Sequence, residues 1–414
     1  MELYPFQKDA VRDLTNGKHI VVAGMGMGKT AMMMDWLKKK CEETGKKKIL
    51  IVTTPSKRDS GDMEAEAKMW NGEQWLSSLS SFSVISWHGL SKWTKNILVD
   101  EAREFVFGFD EIAKASAGVS SAMGKAFLQI AKVNDDWAGF TGTPGDTWIK
   151  FYPYFQATGL VKHKTAFLNK YVTIETYKGY PEIVGYKYED EMRDMWSKIS
   201  TAPDTKVVEE QLPEETRKVI HFKKPKGYDK VIHIRLDDKG ELLETTMALC
   251  HYLRQLCFTK EKRQWVSDFI ENLGTNAVFF CNYIEEEDTV CEIAEKVLPK
   301  GAKVWRIDGK HHDIPTAETI GKYDIVVAHY ASGGEALNLQ FMNYWGAVSP
   351  NYSYSTSKQA EGRIRRIGQK KNMFFYYLKA DATIEEAVFE ALRSKSVFSE
   401  KVWCLANNLI EKGE

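Results

Sequence analysis

Two stretches of the chain alternate short apolar runs with longer segments of helical periodicity. In the first stretch the apolar runs lie at His19–Ala23, Ile49–Thr53, Phe82–Ile85, Phe105–Phe109 and Trp137–Thr141, and helical periodicity covers Lys29–Cys41 and Ser120–Lys132. In the second stretch the runs lie at Ala277–Cys281, Lys303–Ile307, Asp324–Ala328, Trp345–Val348 and Met373–Leu378, with helices predicted at Ile284–Val297, Ser355–Arg366 and Ile384–Leu409. Strands that alternate with helices form parallel sheets, because right-handed crossovers place the helices on both faces. The pattern therefore predicts an α/β fold with two lobes.

Residues 149–239 break this rhythm, because they are rich in Tyr, Lys and Glu and carry scattered prolines. A chain of 414 residues suggests about two or three domains. We therefore expect one lobe over residues 1–160, an irregular insert and connector over 161–240, and a second lobe over 241–414. The aromatic side chains of the insert are expected to pack a small satellite core, and stacking on nucleic-acid bases is the less favoured alternative.

Charge and cysteine content restrict the classes of partner. The 57 Lys and Arg residues balance the 57 Asp and Glu residues, so the chain has no net charge at pH 7. A general attraction to polyanions is therefore excluded, and a nucleic acid must be held by local basic patches. The six cysteines do not make a disulfide framework, the first residues are too polar for a signal peptide, and no apolar run approaches the ~20 residues that span a bilayer. We expect a cytoplasmic protein without a membrane partner.

The segment VVAGMGMGKT, residues 21–30, has the composition of a phosphate-binding loop. It follows a predicted strand and opens a predicted helix, where backbone N–H groups can surround a phosphate. Gly24, Gly26 and Gly28 allow the main chain to approach the phosphate closely. Lys29 supplies a cation for the β- and γ-phosphates, and the Thr30 hydroxyl can ligate Mg²⁺. The spacing differs from a dinucleotide-binding fingerprint, because Lys-Thr follows the last glycine at once.

An acidic pair, Asp110 and Glu111, ends the apolar run REFVFGFDE. We assign Asp110 to the Mg²⁺ shell and Glu111 to orienting or deprotonating the attacking water. The turn TGTP, residues 141–144, follows another predicted strand and offers two hydroxyls that can sense the γ-phosphate. Together with the phosphate loop, these residues predict hydrolysis of ATP with Mg²⁺ as cofactor.

The order of these motifs resembles that of the superfamily-two helicases, whose motor is a pair of RecA-like lobes. LYPFQ, residues 3–7, resembles the family's adenine-reading Q motif, which implies that Gln7 faces the base. TTPSKR and SWHGL stand where these proteins contact the DNA backbone. The resemblance therefore implies nucleic-acid contacts from Thr54, Ser56, Lys57, Arg58 and His88. Ala113 stands where many members have a His that couples hydrolysis to DNA, so we expect another contact, such as Gln359 or Thr141, to provide the coupling.

The second lobe carries further segments with this resemblance. YASGGEALNLQ and QAEGRIRRIGQ resemble motifs V and VI, and RRIGQKKNMFFYYLKADATIEEAV resembles the corresponding segment of the Swi/Snf-like branch. The resemblance implies nucleic-acid contacts from Gly333, Gly334 and Asn338. It also implies catalytic roles for Gln359, Arg363 and Arg366, with the arginines reaching the γ-phosphate across an interlobe cleft. The spacing of the two arginines predicts that they share one helix face.

The leading hypothesis is a compact ATP-dependent DNA helicase or translocase that moves along DNA without reading its sequence, as in DNA replication or repair. Strand separation and duplex translocation without separation are both open at this point. The compact core resembles phage and bacterial types, which implies the cytoplasm of a bacterial or phage-infected cell. The alternative from another class is a P-loop kinase or ATPase acting on small molecules, but it leaves the second lobe unexplained. A non-hydrolysing ATP-gated module is disfavoured by the intact set Lys29, Asp110, Glu111, Arg363 and Arg366.

Overall fold

The computed structural model describes residues 2–116, 121–177, 180–204, 206, 210–311, 314–333, 337–394, 398–407 and 409. The chain divides into two compact units, Met1–Glu209 and Glu210–Glu414. Each unit has its own sheet and its own hydrophobic core. No helix in these described ranges is both long enough and apolar enough to cross a lipid bilayer.

The first unit is built on a six-stranded sheet and carries a separate two-stranded hairpin. Its strands are β1 (Ile20–Val22), β2 (Lys48–Thr53), β3 (Ser81–Ser86), β4 (Phe105–Asp110), β5 (Trp137–Thr141), β6 (Val172–Tyr177), β7 (Tyr180–Tyr186) and β8 (Ser200–Thr201). The sheet order is β3-β2-β4-β5-β1-β8 with every neighbouring pair parallel, and β6 and β7 form the antiparallel hairpin. The carboxyl ends of β1 to β5 therefore meet at one edge of the sheet.

Helices cover both faces of this sheet, as parallel strands require. They are α1 (Pro5–Thr15), α2 (Lys29–Thr44), α3 (Pro55–Asp59), α4 (Asp62–Asn71), α5 (Glu73–Ser78), α6 (Trp87–Asn96), α7 (Val99–Ala102), α8 (Ala122–Ala131), α9 (Tyr152–Ala157), α10 (Lys164–Tyr171) and α11 (Glu189–Ile199), with 3₁₀ turns at Ile112–Ser116 and Trp148–Phe151. The core is strongly aromatic: Phe109 on β4 meets Phe127 of α8 and Trp137 of β5 edge to face, with ring centroids 5.1 and 6.3 Å away.

Residues 161–240, which we expected to be a separate insert and connector, are divided between the two units. Phe167, Tyr171 and Met192 are buried in the core of the first unit, and β8 pairs with β1. Aromatic residues of α9 and α10, such as the fully buried Tyr154, are part of this main core, so packing is confirmed for them, whereas the expected separate satellite core was wrong. From residue 210 onward the chain belongs to the second unit and begins with a strand at that sheet's edge.

The second unit is built on another six-stranded sheet. Its strands are β9 (Glu215–Phe222), β10 (Ala277–Cys281), β11 (Val304–Ile307), β12 (Ile325–His329), β13 (Tyr344–Ala347) and β14 (Met373–Ala380). Their order is β11-β12-β10-β13-β14-β9, again with every neighbouring pair parallel. The helices are α12 (Tyr228–Ile234), α13 (Thr246–Leu256), α14 (Lys260–Leu273), α15 (Ile284–Val297), α16 (Tyr330–Gly333), α17 (Tyr354–Glu361), α18 (Ile384–Arg393) and α19 (Glu400–Ala406).

A buried ion pair ties two helices of the second unit to its sheet. The ammonium of Lys262 on α14 lies 2.7 and 2.9 Å from the two carboxylate oxygens of Glu385 on α18, and both side chains are fully buried. The same ammonium also donates to the carbonyls of Val348 and Leu378, both at 3.4 Å. Glu385 additionally accepts the backbone N–H of Ala380 at 2.7 Å. The pair is thus surrounded by the hydrogen-bond partners that a buried charge needs.

Two helix predictions in the second unit were wrong in extent. The helix predicted at Ser355–Arg366 ends at Glu361, because the chain beyond it takes other hydrogen bonds. Gly362 follows, and the carbonyl of Arg363 accepts the N–H of Leu339 at 3.1 Å. Glycine is a poor helix former, so this tertiary bond outweighs helix continuation. The helix predicted at 384–409 is two helices, α18 and α19.

The predicted fold class is confirmed. Both units are α/β, and each carries a six-stranded parallel sheet, as expected for a RecA-like lobe. In the first sheet β5 separates β1, which leads into the phosphate loop, from β4, which ends at Asp110. This order brings three predicted nucleotide-binding segments to neighbouring positions on one edge.

Candidate nucleotide site

The phosphate loop connects β1 directly to α2. Gly26 and Gly28 both have φ of 73°, in the left-handed region that glycine adopts without strain. Gly28 is the residue that immediately precedes α2, and Gly24 is exposed at the start of the loop. A Cβ on Gly28 would collide with the Nε2 atom of Gln7, so the loop has no room for a side chain there. The N-terminus of a 16-residue helix thus faces the loop, which is a favourable place for a phosphate.

The Lys29 side chain folds back onto the phosphate loop that precedes it. Its side chain is only 8% exposed, and Nζ donates to the carbonyls of Ala23 at 3.2 Å and Gly24 at 3.4 Å. A Cβ built on Gly142 would lie 3.7 Å from the same Nζ, so the turn at residues 141–144 borders the lysine. Thr30 occupies the first turn of α2 and is half-buried. The loop, its lysine and the TGTP turn therefore form one site.

Gln7, predicted to face the adenine, is buried against the phosphate loop. The N–H of Tyr4 donates to its Oε1 at 2.9 Å, and its Nε2 donates to the carbonyl of Met27 at 3.0 Å. The glutamine therefore links the start of α1 to the loop backbone. A contact with a base stays a prediction, whereas the contact with the loop is observed.

Asp110 ends β4 and is fully buried. Its Oδ2 accepts hydrogen bonds from the Thr53 hydroxyl at 2.7 Å and from the Lys57 ammonium at 2.8 Å. Its Oδ1 is also buried and has no hydrogen-bond partner among the described residues. Burial alone would raise the pKa of Asp110, but Lys57, the Thr53 hydroxyl and the more distant Lys29 together lower it below its usual value. The carboxylate is therefore held ionised, with one oxygen available for a further ligand.

The residues at this edge suit Mg²⁺. Magnesium prefers oxygen ligands and is usually held by one or two protein groups together with water and substrate phosphates. Asp110 offers the buried oxygen Oδ1, to which no residue described by the structure donates a hydrogen bond, and Thr30 offers a hydroxyl beside the phosphate loop. Among the described residues no three His, Cys, Asp or Glu side chains converge on a possible metal position. A metal at Asp110 would therefore depend on the phosphates of a nucleotide for the rest of its shell.

Glu111 has an unusual backbone conformation. Its φ is 48°, in the left-handed region that costs a non-glycine residue of order 1–3 kcal/mol. The chain turns sharply here, since the carbonyl of Glu111 accepts the N–H of Lys114 at 2.9 Å in the 3₁₀ turn that follows β4. Such strain is concentrated at functional sites in proteins. The sharp turn places Glu111, which is half-buried, in a different environment from the fully buried Asp110.

The TGTP turn is held by its own hydroxyl and by a buried tyrosine. The hydroxyl of Thr141 accepts the N–H of Thr143 at 3.2 Å and lies 3.3 Å from its carbonyl. The hydroxyl of Tyr154 donates to the carbonyl of Pro144 at 3.1 Å and lies 3.1 Å from the Ser116 hydroxyl. Burial raises the pKa of Tyr154, so this hydroxyl stays protonated. The turn is therefore fixed to the segment that follows Asp110.

The nucleic-acid contacts predicted in the first unit lie at the same edge of the sheet. Thr54 is buried, Arg58 is exposed on α3 and pairs with Asp59 at 2.6 Å, and His88 is exposed on α6. Lys57 points instead to Asp110, as described above. Ser56 lies in α3, and its side chain is outside the described residues.

The predicted residues of the second unit lie in three places: after β12, on α17 and beyond the end of α17. Gly333 ends α16, Gly334 lies outside the described residues, and Asn338 is exposed. Gln359 is half-buried on α17. Arg363 and Arg366 both donate to backbone carbonyls of their own unit. A catalytic role would require these side chains to move.

Arg363 is 3% exposed, and its Nη1 donates to the carbonyl of Leu337 at 3.1 Å. Arg366 is half-buried, and its Nε donates to the carbonyl of Gly362 at 2.9 Å. Both residues lie in the turns beyond α17, so the prediction that they share a helix face was wrong. Their roles at the γ-phosphate stay predictions.

Two hydrogen-bond donors to Asp110, Thr53 and Trp87, were not predicted from the sequence. Thr53 donates to the carboxylate, and the indole Nε1 of Trp87 donates to the Asp110 carbonyl at 2.8 Å. The signal for Thr53 lies in the sheet register: β2 and β4 are parallel neighbours with Val52 beside Phe109, so Thr53 comes next to Asp110. The sequence alone does not reveal this strand order.

Comparison with known proteins gives short local matches. No family model matches the chain. A segment of 82 residues, 20% of this chain, is 34% identical to the "Uncharacterized ATP-dependent helicase YqhH" of Bacillus subtilis. A segment of 126 residues, 29% of this chain, is 32% identical to the "TATA-binding protein-associated factor mot1" of Aspergillus fumigatus. The matches span only 14% and 7% of these relatives' own lengths.

Over these two segments the chain is similar to a helicase and to mot1, and the predicted resemblance is confirmed to that extent. Among solved structures, the chain is similar to the "Sulfolobus solfataricus SWI2/SNF2 ATPase core in complex with dsDNA", at 16% identity and a TM-score of 0.44, over 95% of this chain and 91% of that one.

Proposed function

We propose that this Swi/Snf-like chain is a DNA-stimulated ATPase that translocates along DNA without reading its sequence. The observation that carries the proposal is the convergence on one sheet edge of a phosphate loop, a basic segment, and a buried carboxylate with one oxygen that accepts no hydrogen bond from the described part of the chain. These are Lys29 and its loop, Asp110, and α3 with Lys57 and Arg58. Nucleotide chemistry and polyanion binding are thus available within one unit.

In the proposed reaction, the backbone N–H groups of the loop and the Lys29 ammonium bind the β- and γ-phosphates of ATP. Binding would require Lys29 to exchange its bonds to Ala23 and Gly24 for phosphate oxygens. Thr30 and Asp110 would hold Mg²⁺, which neutralises phosphate charge when bound. Glu111 orients the attacking water and accepts its proton.

We further propose that Gln359, Arg363 and Arg366 complete this chemistry from the second unit. An arginine acting on the γ-phosphate typically contributes ~10³–10⁵ in rate. Because Arg363 is buried and bonded to the Leu337 carbonyl, its action would require that bond to break during the cycle. Hydrolysis would then be limited by a conformational step, and the step would move the loops that hold DNA.

Nucleic-acid binding is proposed at Thr54, Ser56, Lys57, Arg58 and His88 in the first unit and at Gly333, Gly334 and Asn338 in the second. Contacts to phosphates carry affinity without sequence information, and each neutralised phosphate releases counterions. Because the chain has no net charge, the binding would come from this local set. We expect sequence-independent affinity that falls steeply as salt rises.

The test is the ATPase rate of the full chain in parallel with no polymer, single-stranded DNA, duplex DNA and RNA. Stimulation by duplex DNA is the expected result, and a rate that is high without polymer and unchanged by any of them would support a small-molecule ATPase instead. Release of a labelled strand and displacement of a triplex strand, run side by side, separate unwinding from duplex translocation. We expect triplex displacement without strand release, since the Swi/Snf-like resemblance favours duplex tracking.

A further inference from the structure

Lys57 links the two chemistries of the first unit. It lies on α3, directly after β2, in the segment expected to contact DNA phosphates. Its ammonium is nevertheless 2.8 Å from Oδ2 of Asp110, and 23% of its side chain is exposed. The next residue, Arg58, pairs with Asp59 at the surface instead. One basic residue of the segment thus faces the candidate metal site, while its neighbour faces solvent.

The two oxygens of Asp110 have different surroundings. Oδ2 takes both available donors, the Thr53 hydroxyl and the Lys57 ammonium, and Oδ1 has no partner among the described residues. Lys29 adds a second positive charge near the same carboxylate. A divalent cation held at Oδ1 would therefore lie near the positive charge of Lys57 on the other oxygen, and like charges at this range oppose each other.

We propose that Lys57 is a positioning residue that couples DNA binding to Mg²⁺–nucleotide binding, by exchanging Asp110 for a DNA phosphate when the metal arrives. This deepens the proposed function and rests on it. The exchange conserves charge pairing: Mg²⁺ takes over the neutralisation of Asp110, and the DNA phosphate takes over the neutralisation of Lys57. If Lys57 left Asp110 before Mg²⁺ arrived, the buried carboxylate would have no charged partner, and such a loss is strongly destabilising.

The side chains are suited to such an exchange. Lysine carries a compact charge on a flexible stem, so its ammonium can move while α3 stays in place. The Thr53 hydroxyl remains on Oδ2 when the ammonium leaves, so the carboxylate keeps one donor. The coupling is reciprocal, because an effect of DNA on metal–nucleotide affinity requires an equal effect of metal–nucleotide on DNA affinity.

The experiment measures equilibrium binding of a fluorescent non-hydrolysable ATP analogue with Mg²⁺ to the full chain, with and without saturating duplex DNA. For the wild type we expect DNA to tighten binding by about 5- to 150-fold, the usual range of coupling between two sites. Lys57→Met should bind Mg²⁺–nucleotide more tightly than wild type without DNA and should gain little when DNA is added. Lys57→Arg should keep the DNA effect, because it keeps the charge.

Arg58→Met is the matched control. It removes a neighbouring positive charge that does not contact Asp110, so it should weaken DNA binding but keep the full tightening once DNA saturates. If Lys57→Met fails to fold, Lys57→Gln replaces it, since an amide can still donate to Asp110 without carrying charge. In the wild type itself, DNA affinity measured with and without Mg²⁺–nucleotide must change by the same factor.

The outcomes separate the two proposals. DNA-stimulated hydrolysis in the wild type, combined with an unchanged DNA effect in Lys57→Met and Lys57→Gln, would overturn the role of Lys57 and leave the proposed function intact. A wild type that does not bind DNA at all would overturn both. Loss of the DNA effect in Lys57→Met and Lys57→Gln, together with its retention in Lys57→Arg and Arg58→Met, would support the exchange.

Discussion

Replacing Lys262 by Met should destabilise the second unit by about 3–5 kcal/mol, the usual cost of removing one partner from a buried ion pair. Both side chains are fully buried, so water cannot take over the role of the ammonium. Glu385 would lose two charge-assisted hydrogen bonds, at 2.7 and 2.9 Å, and keep the N–H of Ala380 at 2.7 Å. Each bond to a charged group is worth roughly 1.5–3 kcal/mol, which agrees with the total.

The assay is hydrogen exchange of the full chain, read by mass spectrometry at the amides of α14 and β14, because a chain of two units need not unfold in one step. The double variant Lys262→Met with Glu385→Leu is the control, since removing both charges should restore most of the lost protection. Lys260→Met, at the exposed start of the same helix, should change protection little. A loss below about 1 kcal/mol in the single variant would refute the electrostatic argument.

Three further predictions concern two positions in the first unit and Glu287, a buried carboxylic acid on α15 of the second. Glu111→Gln should bind nucleotide normally but hydrolyse it about 10²–10⁴ more slowly, measured as single-turnover rate, and equal turnover would remove the residue from catalysis. Gly28→Ala should abolish nucleotide binding, while Gly45→Ala, with the same φ of 73° but open space around it, should keep it; equilibrium binding distinguishes them. Burial raises the pKa of Glu287 to about 7. The native state therefore binds more protons than the unfolded chain between about pH 5 and about pH 7. The free energy of unfolding should fall as the pH rises through this range. In Glu287→Gln this fall should be weaker in urea unfolding from pH 5 to 8, and an identical pH profile would contradict the assignment.

The central strands of both sheets were predictable because they are buried on both faces. All six residues of β4 are buried, and a continuous apolar run of that kind has few other uses. The edge strand β9, ETRKVIHF, was missed because most of its side chains are exposed and its sequence is largely polar. β8 was missed because it has only two residues. The other two edge strands, β3 and β11, were predicted, because each carries a short apolar run.

The chemistry of the site was predictable residue by residue, whereas its contacts were not. Asp110 and Lys57 are each marked by local motifs, but their contact follows from the parallel placement of β2 beside β4. Arg363 was expected on a helix, and the bonds from the turn beyond α17 to Leu337 and Leu339 decide otherwise. Local sequence identifies a functional group, and tertiary hydrogen bonds determine where that group points.

The two strands that flank the junction between the units differ greatly in how firmly they are attached. β8 pairs with β1 through two residue pairs, whereas β9 pairs with β14 through eight. Mechanical tension along the connecting chain would therefore detach β8 first and leave β9 in its sheet. β8 is thus the more weakly attached strand, and its partner β1 leads into the phosphate loop. A pulling force on the connection would therefore disturb the sheet of the candidate nucleotide site before it disturbed the second sheet.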